Sequence, residues 1–150
     1  MLPEISVSVK AAVLRGDDIL LLSYDDGEFH YNLPGGRARK GEGLRDAVRR
    51  KVMQETGLDV VATRLLFVAE YLPARYDGAY GDVQKVQFNF LTERLDGAQP
   101  RMSEPPDPIQ VGFEWVPLAA LPGRPLLPAV GKQLVAAIGN PAPDALVDDW

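Results

Sequence analysis

The sequence contains no cysteine and a single histidine, His30, among its 150 residues. The lack of cysteine excludes disulfides, zinc fingers, iron–sulfur clusters and thiol nucleophiles. One histidine also excludes a metal site built from several histidines. A metal in this protein would therefore have oxygen ligands, which favours Mg²⁺, Mn²⁺ or Ca²⁺.

Long hydrophobic runs are also missing. No apolar stretch approaches the ~20 residues that a membrane-spanning helix needs. The first ten residues lack the basic segment and apolar run of a secretory signal. We therefore expect a cytoplasmic protein that does not enter a membrane.

The charge is unevenly distributed along the chain. The net charge of −5 argues against general nucleic-acid binding. Residues 37–51 nevertheless hold seven basic and two acidic side chains, a local charge of +5, so the remainder carries −10. Such a segment is either a solvated basic helix face or a site for an anion. The glycine-rich turn at residues 35–43 lies beside it and favours the second interpretation.

The hydrophobic pattern predicts one domain over residues 1–150, with residues 141–150 as a loose tail that Trp150 could dock. Helical spacing of apolar residues predicts helices at 44–56 and 128–139, the first ending at Gly57. Alternating or β-branched segments predict strands, and loops rich in glycine, proline or polar residues separate them. Strands are predicted at 5–15, 19–26, 28–34, 83–95 and 111–118, the first two as a hairpin, and one or two strands at 58–72. Loops are predicted at 35–43, 73–82 and 96–110.

The order of these elements is strands, one central helix, more strands and a terminal helix. It does not alternate regularly between strand and helix, so a doubly wound parallel sheet is disfavoured. We predict an α+β fold, an α/β/α sandwich with a mixed sheet.

The pair Gly35–Gly36 predicts a tight turn in which no Cβ would keep a ligand away from the backbone. A helix follows within a few residues, and helix N-termini attract anions through their unpaired N–H groups. We therefore predict that Gly35, Gly36, Arg37 and Arg39 bind the phosphates of a ligand.

The spacing from Gly36 onward resembles the Nudix box. That pattern is glycine, five residues, glutamate, seven residues, Arg-Glu, an apolar residue, any residue, Glu-Glu, any residue, glycine and an apolar residue. The matching residues in this chain are Gly36, Glu42, Arg50, Val52, Glu55, Gly57 and Leu58. The resemblance implies the Nudix α/β/α sandwich and a hydrolase of MutT-like type that acts on phosphoanhydride bonds.

Two positions depart from the box. Lys51 stands in place of the glutamate that follows arginine, and Gln54 in place of the first of the paired glutamates. Positions 51, 54 and 55 fan over an arc of roughly 100° on a helix. In the family this arc aims carboxylates at Mg²⁺ bound to a pyrophosphate, whereas here only Glu55 keeps a carboxylate.

The resemblance also implies roles for the matching residues. The Gly36 carbonyl and the Glu55 carboxylate would be ligands of Mg²⁺ or Mn²⁺, and the metal would be weakly bound. Glu42 and Arg50 would tie the loop to the helix, as a structural salt bridge rather than a catalytic pair.

The substitutions leave two interpretations open. Gln54 offers only a neutral oxygen, and Lys51 is a pure donor that lies one turn before Glu55 and could pair with it. In one interpretation Lys51 replaces part of a metal's charge, together with Arg37, Arg39 or Lys40. In the other, Lys51 is drift at a site that has lost its function. Lys51, Gln54 and Glu55 are therefore the candidate catalytic residues inside the box.

Further candidates lie outside the box. Hydrolysis needs a base that activates water, and Glu93, Glu104 and Glu114 are candidates; Glu104 is preferred because its long loop could reach over a pocket. Tyr76 and Tyr80 lie in a loop where aromatic rings can stack on a nucleobase. We assign this binding role to Tyr76.

The predicted function is cleavage of a nucleoside diphosphate linked to another moiety, with weak or altered metal-dependent activity. The alternative is a catalytically impaired module that binds a nucleotide or phosphometabolite. In either case the partner is a small molecule and not a nucleic acid. By analogy with relatives, we expect a homodimer.

Overall fold

A computed structural model describes the protein at residues 4–140 and 145–150. Two α-helices and nine strands form its regular structure there, joined by loops and short 3-10 turns. The helices are α1 (Leu44–Thr56) and α2 (Gly131–Gly139). The strands are β1 (Ile5–Ala12), β2 (Leu14–Arg15), β3 (Asp18–Asp25), β4 (Phe29–Asn32), β5 (Gly35–Arg37), β6 (Val60–Tyr71), β7 (Gln84–Arg94), β8 (Gln110–Pro117) and β9 (Leu146–Val147).

The larger sheet has the strand order β5-β1-β7-β6-β9. Strand β1 runs parallel to β7 and antiparallel to β5, while β6 is antiparallel to β7 and parallel to β9. The sheet is therefore mixed, which confirms the predicted fold class.

The smaller sheet contains β2, β3 and β4, and β8 pairs with the free side of β3. The predicted first hairpin forms only between β2 and β3. The single strand predicted for residues 5–15 is divided, because the chain leaves the larger sheet after β1 and enters the smaller one at β2. Between them lies Val13, which is fully buried.

Each face of the larger sheet has its own apolar core. Val9 and Ala11 of β1 point toward α1, where they pack with Ala47, Val48 and Val52. Burying each of the valine side chains stabilises the fold by ~1.5–3 kcal/mol. The opposite face packs against α2 through a second cluster. Helices on both faces of the sheet give the sandwich.

Helix α1 has the bounds that the sequence predicts. It ends at Gly57, whose φ of 73° lies in the left-handed region and whose N–H donates to the Met53 carbonyl. Thr56 is buried at the last turn and donates its hydroxyl to the Val52 carbonyl at 2.7 Å. These contacts fix the helix end, and therefore the orientation of Glu55 just before it.

The loop predicted at residues 35–43 begins as a strand instead. Gly35–Arg37 form β5, an edge strand paired with β1. This pairing depends on Gly35, whose φ is +152° and whose added Cβ would overlap the Val9 carbonyl oxygen. The absence of a side chain at Gly35 therefore makes room for the backbone of β1.

The last described residues dock on the larger sheet. The Trp150 indole stacks on Tyr76 with ring centroids 4.0 Å apart and donates its N–H to the Glu70 carbonyl at 3.0 Å. This is the docking predicted for Trp150, whereas residues 141–144 lie outside the described part. Among the helices described, none is long and apolar enough to cross a membrane.

Candidate functional site

Glu55 faces the glycine turn. Its Oε1 accepts a hydrogen bond from the Gly35 backbone N–H at 2.7 Å, which joins α1 to β5. The helix end at Gly57 and the pairing of β5 with β1 hold the two partners in place. The sequence prediction that places Glu55 beside the glycine pair therefore agrees with the geometry.

The surroundings of Glu55 shift its pKa upward. Burial raises the pKa of Glu55 above its ordinary value, and the Asp107 carboxylate raises it further. Lys10, the Gly35 N–H and Lys51 act in the opposite direction without cancelling the effect of burial. A carboxylate with a raised pKa is a stronger base than an ordinary glutamate, which suits it to accept a proton.

Lys51 lies directly over the glycine turn. A Cβ added to Gly36 would overlap Lys51 Cε and would lie 3.0 Å from the ammonium nitrogen. That ammonium donates to Gln54 Oε1 at 3.5 Å. A positive charge therefore occupies the position that a carboxylate takes in the Nudix box.

Glu42 and Arg50 form the predicted link between loop and helix. Arg50 donates from Nε and Nη2 to the two Glu42 oxygens at 2.7 and 3.0 Å, and Nη2 also reaches the Arg37 carbonyl. The Arg39 N–H donates to the same carboxylate at 3.0 Å. The bond to Arg50 is the main reason why the pKa of Glu42 falls to about 2. The Glu42–Arg50 ion pair is structural, because each of the two charges is satisfied by a partner within the chain.

The basic residues of segment 37–51 divide into two groups. Arg45, Arg49 and Arg50 are bound to partners in the chain: the Ala62 carbonyl, Asp59 and Glu42 respectively. The other four are Arg37, which forms an exposed ion pair with Glu4 at 3.9 Å, and Arg39, Lys40 and Lys51. Arg39 and Lys40 are exposed and line a cavity outside β1 with Glu42, so only Arg37 and Lys51 lie beside Gly36.

The proline-rich loop brings a different acid to Glu55 from the one predicted. Glu104 is exposed and lines a surface cavity of about 480 Å³ with Met53 and Gln54. Asp107 instead shares a cavity of about 390 Å³ with Lys51 and Glu55. Glu104 is thus set beside the outer face of α1, and Asp107 is the loop carboxylate that acts on Glu55.

The two loop tyrosines have different surroundings. The Tyr76 ring is stacked against the Trp150 indole, and the Tyr76 hydroxyl accepts a hydrogen bond from the Trp150 backbone N–H at 3.0 Å. Tyr80 lines a separate cavity with Lys10 and Lys85. The stacking role assigned to Tyr76 is therefore not supported by its position, because Trp150 already covers the ring.

The residues present do not fit a resident divalent cation. Within residues 4–140 and 145–150, no group of three His, Asp or Glu side chains is placed to hold a metal ion. The resemblance assigns the Glu55 carboxylate and the Gly36 carbonyl to the metal. In this structure the Gly35 N–H donates to the Glu55 carboxylate, and the Lys51 ammonium lies against Gly36.

Sequence reasoning did not find Lys10, Tyr24 or Asp107. Burial is the first cause that raises the pKa of Tyr24, and the Glu55 charge adds to it. A signal for Lys10 was present, because Ser6, Ser8 and Lys10 alternate with apolar residues along β1. No local pattern points to Asp107, whose position depends on the path of a long loop.

Comparisons with known proteins find matches over most of the chain. A family model described as NUDIX domain matches residues 5–138. An uncharacterized Nudix hydrolase of Bacillus subtilis (strain 168), YvcI, is 26% identical over 126 residues, which are 84% of this chain and 75% of that protein. The MutT protein of Methanosarcina mazei Go1 superposes with a TM-score of 0.73 at 19% identity, covering 93% of this chain and 96% of that one. An ADP-ribose pyrophosphatase of Streptococcus suis 89-1591 gives 0.66 at 23% identity, covering 96% and 98%.

Proposed function

The chain belongs to the NUDIX domain family, whose hydrolases act on pyrophosphate bonds, and on this premise we propose that it cleaves a nucleoside diphosphate linked to a second group. The observation that carries the proposal is the arrangement around the glycine turn. Lys51 and Arg37 supply positive charge beside Gly36, and Glu55 lies against Gly35. A diphosphate bound there meets cations on one side and a proton acceptor on the other.

In the proposed reaction a water molecule attacks one phosphorus of the diphosphate. The phosphoanhydride P–O bond breaks, the leaving phosphate keeps the electron pair, and the water proton passes to the Glu55 carboxylate. Lys51 stabilises negative charge that develops on the phosphate oxygens. Nudix hydrolases generally use divalent metal ions, but the residues around Glu55 give no site for one, so these roles are assigned to the chain alone.

The main test measures turnover and binding separately. Purified protein is offered a panel of nucleoside diphosphate derivatives with Mg²⁺, with Mn²⁺ or with a chelator. Products are followed by ³¹P NMR and binding by calorimetry. The proposal predicts slow product formation that Glu55→Gln lowers by ~100-fold or more, because the proton acceptor is lost.

The matched control is Glu28→Gln, which changes an exposed carboxylate in the turn before β4. It should leave turnover unchanged. Equal activity of Glu55→Gln and the wild type would contradict the proposed role of Glu55.

A second candidate function is binding without cleavage. It is favoured by one observation, the positive charge of Lys51 where the box has a carboxylate. Tight binding with no product under every metal condition would establish this function instead. A homodimer and a cytoplasmic location stay predictions, and light scattering tests the first.

A further inference from the structure

One part of the larger sheet carries buried polar side chains where a core would be expected. On the face away from α1, Ser6, Ser8 and Lys10 of β1 lie beside Lys85 and Gln87 of β7, because these two strands are paired in parallel. The exposed fractions are 5%, 6% and 6% for the three β1 residues and 3% for Gln87. Farther along the same face, Ala12 belongs to an ordinary apolar core.

Two of the buried atoms have no partner in the protein. Within the described residues, Ser6 Oγ and Gln87 Oε1 make no hydrogen bond. Leaving such a group unsatisfied destabilises the fold, so native folds rarely keep one without a use. Ser6 and Gln87 both line one cavity of about 290 Å³, which also reaches Gly36 of the glycine turn. Only Ser6 Oγ can donate to an anion there, because the Gln87 amide oxygen can only accept a hydrogen bond.

The charge of this cavity is positive. Lys10, Arg37 and Lys85 line it, and among the described residues that line it Asp82 is the one acid. Lys10 donates to the Leu33 carbonyl at 3.3 Å, and Lys85 to the Tyr80 carbonyl at 2.9 Å. Within the described residues neither ammonium lies at ion-pair distance from a carboxylate, although the charge of Lys10 also acts on Glu55.

The positive charges of this cavity also lower the pKa of the Tyr80 hydroxyl. Burial raises its pKa, but the charge of Lys10, a hydrogen bond from Gln87 Nε2 and the charge of Lys85 together bring it below its ordinary value. Lys85 Nζ also lies 3.7 Å from the centroid of the Tyr80 ring. Because this lysine covers the ring, a nucleobase cannot use that face for stacking.

We propose that this cavity binds an anionic group, a phosphate or a carboxylate, on the moiety that the diphosphate links to the nucleoside. This inference rests on the proposed function, since the cavity continues from the turn that would hold the diphosphate. The Ser6 hydroxyl donates to the anion and Lys10 and Lys85 neutralise it. The volume is ample, because one water molecule takes about 30 Å³ in the liquid.

The test compares ligands that differ in one anionic group. NADP⁺ and NAD⁺ differ by a phosphate, and UDP-glucuronate and UDP-glucose by a carboxylate. Calorimetry on the full chain should show about 10-fold tighter binding of the anionic member in at least one pair, since a charge-assisted hydrogen bond is worth roughly that factor. The pair that shows the preference identifies the kind of anion.

Two variants locate the preference in the cavity. Lys85→Gln removes a charge but keeps a donor, and it should reduce the preference to about twofold or less. Ser6→Ala removes an unpartnered hydroxyl, so the fold should keep its thermal stability while the preference weakens. Lys132→Gln, an exposed lysine on α2, is the matched control and should change nothing.

The outcomes separate this inference from the proposed function. Anionic members that bind more tightly but are never cleaved would uphold the subsite and refute the hydrolysis. Cleavage with no preference in either pair would uphold the hydrolysis and refute the subsite. A preference that survives both Lys85→Gln and Ser6→Ala would also overturn the inference.

Discussion

Replacing Lys51 and Gln54 together by glutamate should create a divalent-cation site beside Glu55. The double change alters the charge at α1 by three units, two at Lys51 and one at Gln54. Both side chains lie at the turn, since Lys51 Nζ is 3.5 Å from Gln54 Oε1 and lies over Gly36. The new carboxylates would therefore point at the same small volume as Glu55.

The magnitude follows from Coulomb's law. A unit charge ~4 Å from a divalent ion contributes ~2 kcal/mol in a water-like medium, which suits the exposed Gln54 and the half-buried Lys51. Three units give ~6 kcal/mol, and repulsion among the carboxylates with salt screening removes about half. The remaining ~3 kcal/mol corresponds to a fall of about 100-fold in Kd for Mn²⁺.

Calorimetry with Mn²⁺ and Mg²⁺ measures this directly, without any substrate. The single variants Lys51→Gln and Gln54→Glu should each give a smaller part of the gain. Glu28→Gln serves as the surface control. A double variant that folds normally and binds Mn²⁺ no better than the wild type would refute the view that Lys51 and Gln54 are what prevents a divalent cation from binding beside Glu55.

The remaining predictions concern the structures that hold the site. Gly35→Ala should lower the free energy of unfolding by more than ~3 kcal/mol in urea denaturation, because the added Cβ would overlap the Val9 backbone at a positive φ. Gly36→Ala should lower it by less than ~1 kcal/mol, since only the flexible end of the Lys51 side chain must move. Equal losses for the two variants would contradict this account. The pKa of Glu42 is lowered to about 2 by Arg50, so its contribution to stability is full above pH ~4.5 and is lost as the pH falls toward ~2. Glu42→Gln should remove that part of the acid dependence, which thermal unfolding between pH 5 and 2 measures. An unchanged pH profile would show that the Glu42–Arg50 ion pair does not contribute to stability.

Much of the fold follows from the sequence because the pattern is local. The apolar spacing within residues 44–56 sets the length of α1, and Gly57 sets its end through a backbone angle that other residues avoid. The box spacing likewise fixes Glu42, Arg50 and Glu55 on one helix and the loop before it. These features depend on residues fewer than about twenty positions apart, where periodicity is informative.

The features that the sequence did not predict depend on long-range pairing. Strand β5 has no strand-like pattern and exists because Gly35 lets it join β1. The polar face of β1 becomes a cavity only because β7, about 80 residues later, places Gln87 opposite Ser8. Asp107 reaches Glu55 through the fold of a loop, while Glu104 in the same loop does not. Side-chain type alone could not separate these two acids.

The contact between Trp150 and Tyr76 gives the protein a built-in optical reporter. The chain has two tryptophans, and the other, Trp115, lies under Arg15 in the smaller sheet. Tyr76 and Tyr80 belong to one short loop, and the second of them borders the polar cavity. A molecule that shifts this loop on entering would alter the emission of the Trp150 indole, so occupancy can be followed by fluorescence in unlabelled protein, with Trp115→Phe to remove the background.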